Sequence, residues 1–257
     1  MTYVSGTTWQ ASNVTATCAI TASFAPETYT VTAIAGANGS ITSSNPITLT
    51  YPTVQAVFLA AANPTYRAVL GSGTTCTEVS GPISTFGNNY MVSAENVSAD
   101  CVVDLQFELM TYPVTVASLS NGSIVLDSAS VVHGQMASFT VTPNVGYHLV
   151  GPVTGTSACG TISMDGNTGT TGPITAAGCE LSATFAINQY SVNVSMSGGN
   201  GTIGEVGGPQ GTGALAMTID HGGVAQFQVA PAVGRHAEVT GCGFTLTSAN
   251  TFTSATI

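Results

Sequence analysis

The sequence predicts an all-β protein built as a linear tandem array of small modules. One motif, V-S-A-D-C-V-V-D-L-Q-F at residues 97–107, recurs in related form at 14–24 and 174–185. Its period is roughly 80 residues, the size of one small domain. Apolar residues alternate with Thr, Ser and Ala along each copy, which is typical of a half-buried β-strand. Long helical patterns of Leu, Glu, Lys and Ala are absent, so the local preference is for strand throughout.

Each predicted module contains four landmarks in a fixed order. An opening strand comes first, at Tyr29, Tyr112 and Tyr190. An Asn-Gly pair follows at 38–39, 121–122 and 200–201, and Asn-Gly between alternating runs predicts a two-residue hairpin. An aromatic strand follows around Phe58, Phe139 and Phe227. In the first two modules a pair of cysteines then leads into the closing strand, whereas the third has a single cysteine at 242.

These landmarks predict four segments. Residues 1–28 hold a closing strand with no module before it, and they are followed by module 1 (29–111) and module 2 (112–189). Module 3 (190–257) is expected to lack a closing strand of its own. Residues 8–14 align with residues 251–257. Residues 16–24 therefore correspond to the closing strand that module 3 is expected to lack.

The N-terminal copy of the closing strand, which we call the donor segment (14–24), has the same parity as the others. Its inward-facing side chains are predicted to be those of Val14, Cys18, Ile20, Ala22 and Phe24. In the module 1 copy, Asp100 and Asp104 lie on the opposite parity and are expected to face solvent.

Charge is scarce and strongly acidic. The chain has no lysine, and its two arginines, Arg67 and Arg235, are set against 12 acids for a net charge of −10. No basic patch can form, which argues against nucleic acid and against an anionic membrane surface as partners. The longest apolar run, 54–62, is too short to insert across a membrane. Without lysine there is also no P-loop and no Schiff base.

Six cysteines in a Thr-rich and Gly-rich β chain predict disulfides and an oxidising compartment. Zinc sites require close C-x₂₋₄-C pairs, and the sequence has none. The repeat pairs Cys76 with Cys101 and Cys159 with Cys179.

The repeat resembles the divergent internalin-B-type B-repeat family of bacterial repeat domains. Residues 139–147, F-T-V-T-P-N-V-G-Y, fit the family's extended aromatic strand almost letter for letter, 227–235 fit with Arg235 in place of tyrosine, and 58–66 fit least well. The resemblance covers essentially the whole chain. It implies β-grasp-like modules in secreted or surface proteins of bacteria, used in tandem as stalk, spacer or adhesive array, with no catalytic residues. The cysteine pair departs from the plainest family pattern.

No catalytic, cofactor or metal site is predicted. His133 and His221 share one repeat position, and His148 and His236 share another, so the histidines recur once per module rather than converging on a metal. No nucleophile motif or calcium loop occurs, and the protein is expected not to be an enzyme. The only tryptophan, Trp9, aligns with Phe252 and is expected to pack.

Cys18 and Cys242 each match one half of a repeat pair whose other half is missing. Joining Cys242 of one copy to Cys18 of the next satisfies both, and a contact of this kind repeats without closing. The favoured hypothesis is therefore a structural subunit of a bacterial extracellular filament or surface fibre, a head-to-tail homopolymer formed by strand donation. The alternative is a stalk or adhesive segment of a larger secreted surface adhesin that binds glycan or a host surface, in which later residues of the same chain supply the strand.

Overall fold

The computed structural model describes residues 1–248 and 250–257, and it confirms the all-β prediction. The chain divides into two compact units, Met1–Leu109 and Met110–Ile257. The strands of the first unit are β1 (Thr2–Ser5), β2 (Thr8–Gln10), β3 (Thr28–Ala35), β4 (Gly39–Ile41), β5 (Ile47–Thr50), β6 (Ala56–Ala62), β7 (Tyr66–Leu70), β8 (Glu78–Phe86), β9 (Asn89–Glu95) and β10 (Cys101–Leu109).

The second unit is also made of strands, with one short 3₁₀ turn at Ser157–Cys159. Its strands are β11 (Thr111–Val116), β12 (Gly122–Leu126), β13 (Ser130–Val132), β14 (Ser138–Pro143), β15 (Tyr147–Leu149), β16 (Thr154–Gly155), β17 (Ser163–Asp165), β18 (Thr168–Thr170), β19 (Cys179–Ser182), β20 (Phe185–Ile187), β21 (Gln189–Val194), β22 (Gly201–Glu205), β23 (Leu215–Asp220), β24 (Gln226–Pro231), β25 (Thr245–Ser248) and β26 (Thr251–Thr253). Over the described residues, no helix has the length and apolar character needed to cross a membrane.

Module 1 consists of two four-stranded sheets. We call the sheet that contains the opening strand the first sheet, and its strand order is β5-β3-β10-β7. The second sheet has the order β4-β6-β9-β8. In the first sheet the closing strand β10 runs parallel to the opening strand β3 and antiparallel to β7. The closing strand is therefore a central strand, hydrogen-bonded along both edges.

Module 2 repeats this arrangement. Its first sheet has the order β13-β11-β19-β16, and its second sheet has the order β12-β14-β18-β17. The closing strand β19 again runs parallel to the opening strand β11. It continues as β20, which pairs antiparallel with β15.

Module 3 has a complete second sheet, β22-β24-β26-β25, but its first sheet contains only β21 and β23. These two strands correspond to β3 and β5 of module 1.

Each module has its own core, centred on the aromatic residue that the repeat predicted. Phe58, Phe139 and Phe227 are all fully buried. The cores of modules 1 and 2 also bury apolar residues of their closing strands, Val103, Leu105 and Leu181 among them. The core of module 3 is smaller and contains no residue of a closing strand.

Two local predictions are wrong. The Asn-Gly pairs do not form two-residue hairpins, because the strands that flank each pair in modules 1 and 2 belong to different sheets. Asn38 and Asn121 have φ values of 71° and 66°, whereas the glycines that follow them have ordinary φ. Asp104 does not face solvent: it is 7% exposed, and its carboxylate accepts hydrogen bonds from the Gly73 amide and from Gln106.

Candidate strand-acceptor groove in module 3

The closing strands of modules 1 and 2 have the same register. Cys101 lies opposite Val31, and Cys179 lies opposite Val114. Val31 and Val114 are each two residues after the opening tyrosine, so the equivalent position in module 3 is Val192. The register of the closing strand is therefore conserved between the two modules that have one.

An aromatic side chain at the end of each closing strand rests on the glycine of the Asn-Gly pair. A Cβ atom added to Gly39 would clash with the Phe107 ring, and one added to Gly122 would clash with the Phe185 ring. Phe107 and Phe185 are each 8% exposed. The glycine of each Asn-Gly pair thus lies directly against the last aromatic ring of the closing strand. We call this glycine the aromatic seat.

In module 3 the place of the closing strand is a groove of about 560 Å³. The opening strand β21 pairs with β23 along one edge, and no described strand pairs with its other edge. Val194 and Met196 line the groove on the β21 side, and Phe227 and Val229 line it from the second sheet. Such an unpaired edge beside an apolar core is the usual receiving surface for an added strand.

The aromatic seat of module 3 has no occupant in the structure. Gly201 is the equivalent of Gly39 and Gly122, and it also lines the groove. The three heavy atoms nearest to a Cβ atom added there belong to the backbone of Ala230 and Pro231, at 2.8, 3.2 and 3.5 Å, and none of them belongs to an aromatic ring.

The cysteines follow the repeat. Cys76 is bonded to Cys101 and Cys159 to Cys179, so each bridge attaches a closing strand to the segment that follows the aromatic strand. Cys159 and Cys179 are fully buried. Cys242, the counterpart of Cys76 and Cys159, is an exposed free thiol that lines the groove.

The donor segment is exposed along its whole length. Residues 11–27 form no strand, and Val14, Cys18, Ile20, Ala22 and Phe24 are all exposed. Phe24 is 96% exposed, and Cys18 is the second free thiol. Among the described residues, the apolar side chains of the donor segment thus belong to no core, and the core of module 3 has no closing strand.

Trp9, upstream of the donor segment, lies in the β1–β2 hairpin. It is 60% exposed and makes an edge-to-face contact with Tyr3, with 5.3 Å between the ring centroids.

Comparison with known protein families supports the interpretation of the second module as a repeat domain. Residues 112–189 match the family model of the divergent InlB B-repeat domain. Module 2 is therefore similar to a B-repeat domain. The family is a repeat-domain type of bacterial surface proteins rather than a class of enzymes. Modules 1 and 3 share the landmarks of this B-repeat: the opening tyrosine, the Asn-Gly pair and the buried aromatic strand.

Among solved structures, the chain matches the Bacillus anthracis TIE protein. The sequence identity is 10% and the TM-score is 0.34, over 88% of this chain and 47% of the other. The chain therefore spans about half the length of that relative. No curated protein matches the chain.

The four histidines have different neighbouring side chains. His133 Nδ1 lies 3.3 Å from the Tyr112 hydroxyl, and His148 Nδ1 lies 2.8 Å from Asn188 Oδ1. His221 is near Tyr190, and His236 is near Glu238. Among residues 1–248 and 250–257, no three potential ligands of His, Cys, Asp or Glu type are grouped so that they could hold a metal ion.

The seat in the B-repeat of module 2 can be tested by filling it. Gly122→Ala is expected to destabilise the chain by about 1–3 kcal/mol, because the new methyl group displaces the Phe185 ring from a packed core. Gly213→Ala is the matched control, since no atom lies within 4 Å of the added Cβ and the φ of Gly213 is ordinary. Urea denaturation measures both. Equal stability of the two variants would show that the ring does not require the glycine.

Proposed function

We propose that this chain is a structural subunit of a bacterial extracellular filament or surface fibre. In this proposal the donor segment of one copy fills the groove in module 3 of the next copy, and a Cys18–Cys242 disulfide fixes the joint. The observation that carries the proposal is that Phe24 is exposed, while Gly201, the equivalent of Gly39 and Gly122, has no aromatic ring among its three nearest heavy atoms.

The register seen in modules 1 and 2 specifies the alignment. If Cys18 takes the place of Cys101 and Cys179, it lies opposite Val192. Ile20 and Ala22 then take the inward positions of Val103 and Leu105, which are both fully buried in module 1. Phe24 reaches the glycine seat at the end of the strand.

The same alignment accounts for the two free thiols. Cys18 takes the place of Cys179, and Cys242 has the place of Cys159, its disulfide partner. The bond would form between two subunits and would repeat along the assembly, because a head-to-tail contact that does not close produces a fibre.

The absence of charged side chains from the donor segment favours burial of the proposed joint. The donor segment has no charged side chain, and among the described residues the acidic and basic side chains that line the groove are those of Arg235, His236 and Glu238. Seating the strand therefore buries apolar and hydroxyl groups without desolvating a carboxylate on the strand itself. Joining the two thiols releases two protons and two electrons, which a disulfide donor must accept by thiol–disulfide exchange. The proposal therefore requires an oxidising compartment, such as the outside of a bacterial cell.

Non-reducing electrophoresis tests the joint. The oxidised wild-type chain is expected to give a ladder of multiples that collapses to one band with reductant, and Cys18→Ser is expected to abolish the ladder. Cys242→Ser should behave in the same way, since each variant removes one end of the same bond. A ladder that persists in both variants, or a wild-type chain that is a monomer in both lanes, would contradict the proposal.

A second candidate is a spacer in a longer single-chain array of a surface adhesin. It is favoured by modules 1 and 2, in which the closing strands β10 and β19 come from the same chain as the opening strands. A wild-type chain that remains monomeric under oxidising conditions would favour this candidate.

A further inference from the structure

Each module carries a basic side chain at one repeat position, just after the aromatic strand: Arg67, His148 and His236. In the first two modules this side chain meets an oxygen near the end of the closing strand. Arg67 Nη2 lies 3.5 Å from Glu108 Oε2, one residue after Phe107. His148 Nδ1 lies 2.8 Å from Asn188 Oδ1, three residues after Phe185.

His236 has no such partner in the structure. Its Nε2 lies 3.4 Å from Glu238 Oε1 in the same segment, and the two side chains are 84% and 85% exposed. His236 also lines the groove of module 3. A partner equivalent to Glu108 or Asn188 would therefore belong to the strand that fills this groove.

Glu27 follows the donor segment at the position that corresponds to Asn188 after the closing strand of module 2. It is three residues after Phe24, as Asn188 is three residues after Phe185. Its backbone oxygen accepts a hydrogen bond from the Tyr51 amide at 3.0 Å, and the Asn188 oxygen accepts one from the His221 amide at 2.8 Å. The two residues therefore have the same place relative to the module that follows them.

Glu27 is held in place by a neighbouring side chain. The Tyr29 hydroxyl donates to Glu27 Oε2 at 2.7 Å, and this hydrogen bond raises the pKa of Tyr29 above its ordinary value. The other carboxylate oxygen has no hydrogen-bond partner among the described residues and is available to a further donor.

We infer that Glu27 of one copy pairs with His236 of the next at the head-to-tail joint, as an ion pair that strengthens when the histidine is protonated. This inference rests on the proposed function. Glu238 competes for the same imidazole, and Arg235 adds positive charge beside it. Histidine ordinarily gains its charge below about pH 6.5, whereas glutamate stays ionised down to about pH 4.3. We therefore expect the pair to be stronger at pH 5.5 than at pH 8.

Binding of a peptide of residues 12–29 to the full-length chain tests the pair. The peptide carries Cys18→Ser, so that binding is non-covalent, and the acceptor chain carries Cys18→Ser and Phe24→Ala, so that its own donor segment does not compete. The peptide is expected to bind about two- to fivefold more tightly at pH 5.5 than at pH 8, the range for an exposed ion pair. Glu27→Gln in the peptide and His236→Asn in the acceptor should each remove the difference in affinity between pH 5.5 and pH 8. Both substitutions together should have no larger effect than either one alone, because they remove the same contact.

His148→Asn in the acceptor is the matched control, because His148 already meets Asn188 of its own chain. It should leave the pH dependence of peptide binding unchanged. If the peptide binds but Glu27→Gln keeps the full pH dependence, the ion pair is wrong and strand donation stands. If the peptide binds at neither pH, strand donation fails, and the pair fails with it.

Discussion

Replacing Phe24 with alanine is expected to weaken head-to-tail joining by about 3 kcal/mol, roughly a hundredfold in the dissociation constant. The ring is 96% exposed in the free chain, while its equivalents Phe107 and Phe185 are 8% exposed on their glycine seats. Joining therefore moves a whole aromatic side chain from water into a packed site. Truncation loses that transfer free energy and leaves a cavity over Gly201.

The measurement is binding of the 12–29 peptide, with and without Phe24→Ala, to the full-length acceptor chain under reducing conditions. Phe86→Ala in the acceptor is the matched control for loss of an exposed ring, because Phe86 is 83% exposed in the β8–β9 hairpin of module 1. That variant should bind the peptide normally. Equal affinity of the two peptides would mean that the seat at Gly201 is not where the strand ends.

Removing the Cys159–Cys179 bridge is expected to destabilise module 2 by about 3 kcal/mol. The bridge closes a loop with a sequence separation of 20 residues, and it restricts the unfolded chain accordingly. A core of this size is marginal without such support. The variant replaces both cysteines with alanine, which leaves no buried free thiol.

Denaturation followed by circular dichroism measures this effect. Trp9 fluorescence is unsuitable, because the indole lies in the exposed β1–β2 hairpin and not in module 2. Cys242→Ala is the control, since that thiol is exposed and unbonded in the free chain. A double variant as stable as this control would show that the hydrophobic core alone supports the module.

The repeat made much of the fold predictable. Alternation along residues 97–107 indicated that Val103, Leu105 and Phe107 face the core, and all three are buried. The pattern alone also predicts strands around Phe58, Phe139 and Phe227, and all three residues lie in strands. These predictions succeed because side-chain parity in a strand is a local property of the sequence.

The errors concern contacts between residues far apart in the chain. The Asn-Gly pair has the composition of a tight hairpin, but Gly39 is required beneath the ring of Phe107, which comes much later in the sequence. Asp104 alternates as a solvent-facing residue, yet the Gly71–Gly73 loop covers it and supplies an amide donor. No local sequence pattern predicts that His148 contacts Asn188. Because Glu27 is recognised by its equivalence to Asn188, its proposed role could be inferred only from the structure.

The parallel pairing of the first and last strands within modules 1 and 2 has a mechanical consequence. Tension along the chain pulls the start of β3 and the end of β10 in opposite directions, while the two strands lie side by side over Val31–Ala35 and Cys101–Leu105. The load is then shared by all the hydrogen bonds between the two strands, which must slide past one another and break together instead of opening one at a time. A donated strand seated beside β21 in the same orientation would carry load in the same way, so that the joint between subunits would resist stretching by the same geometry as the modules it connects.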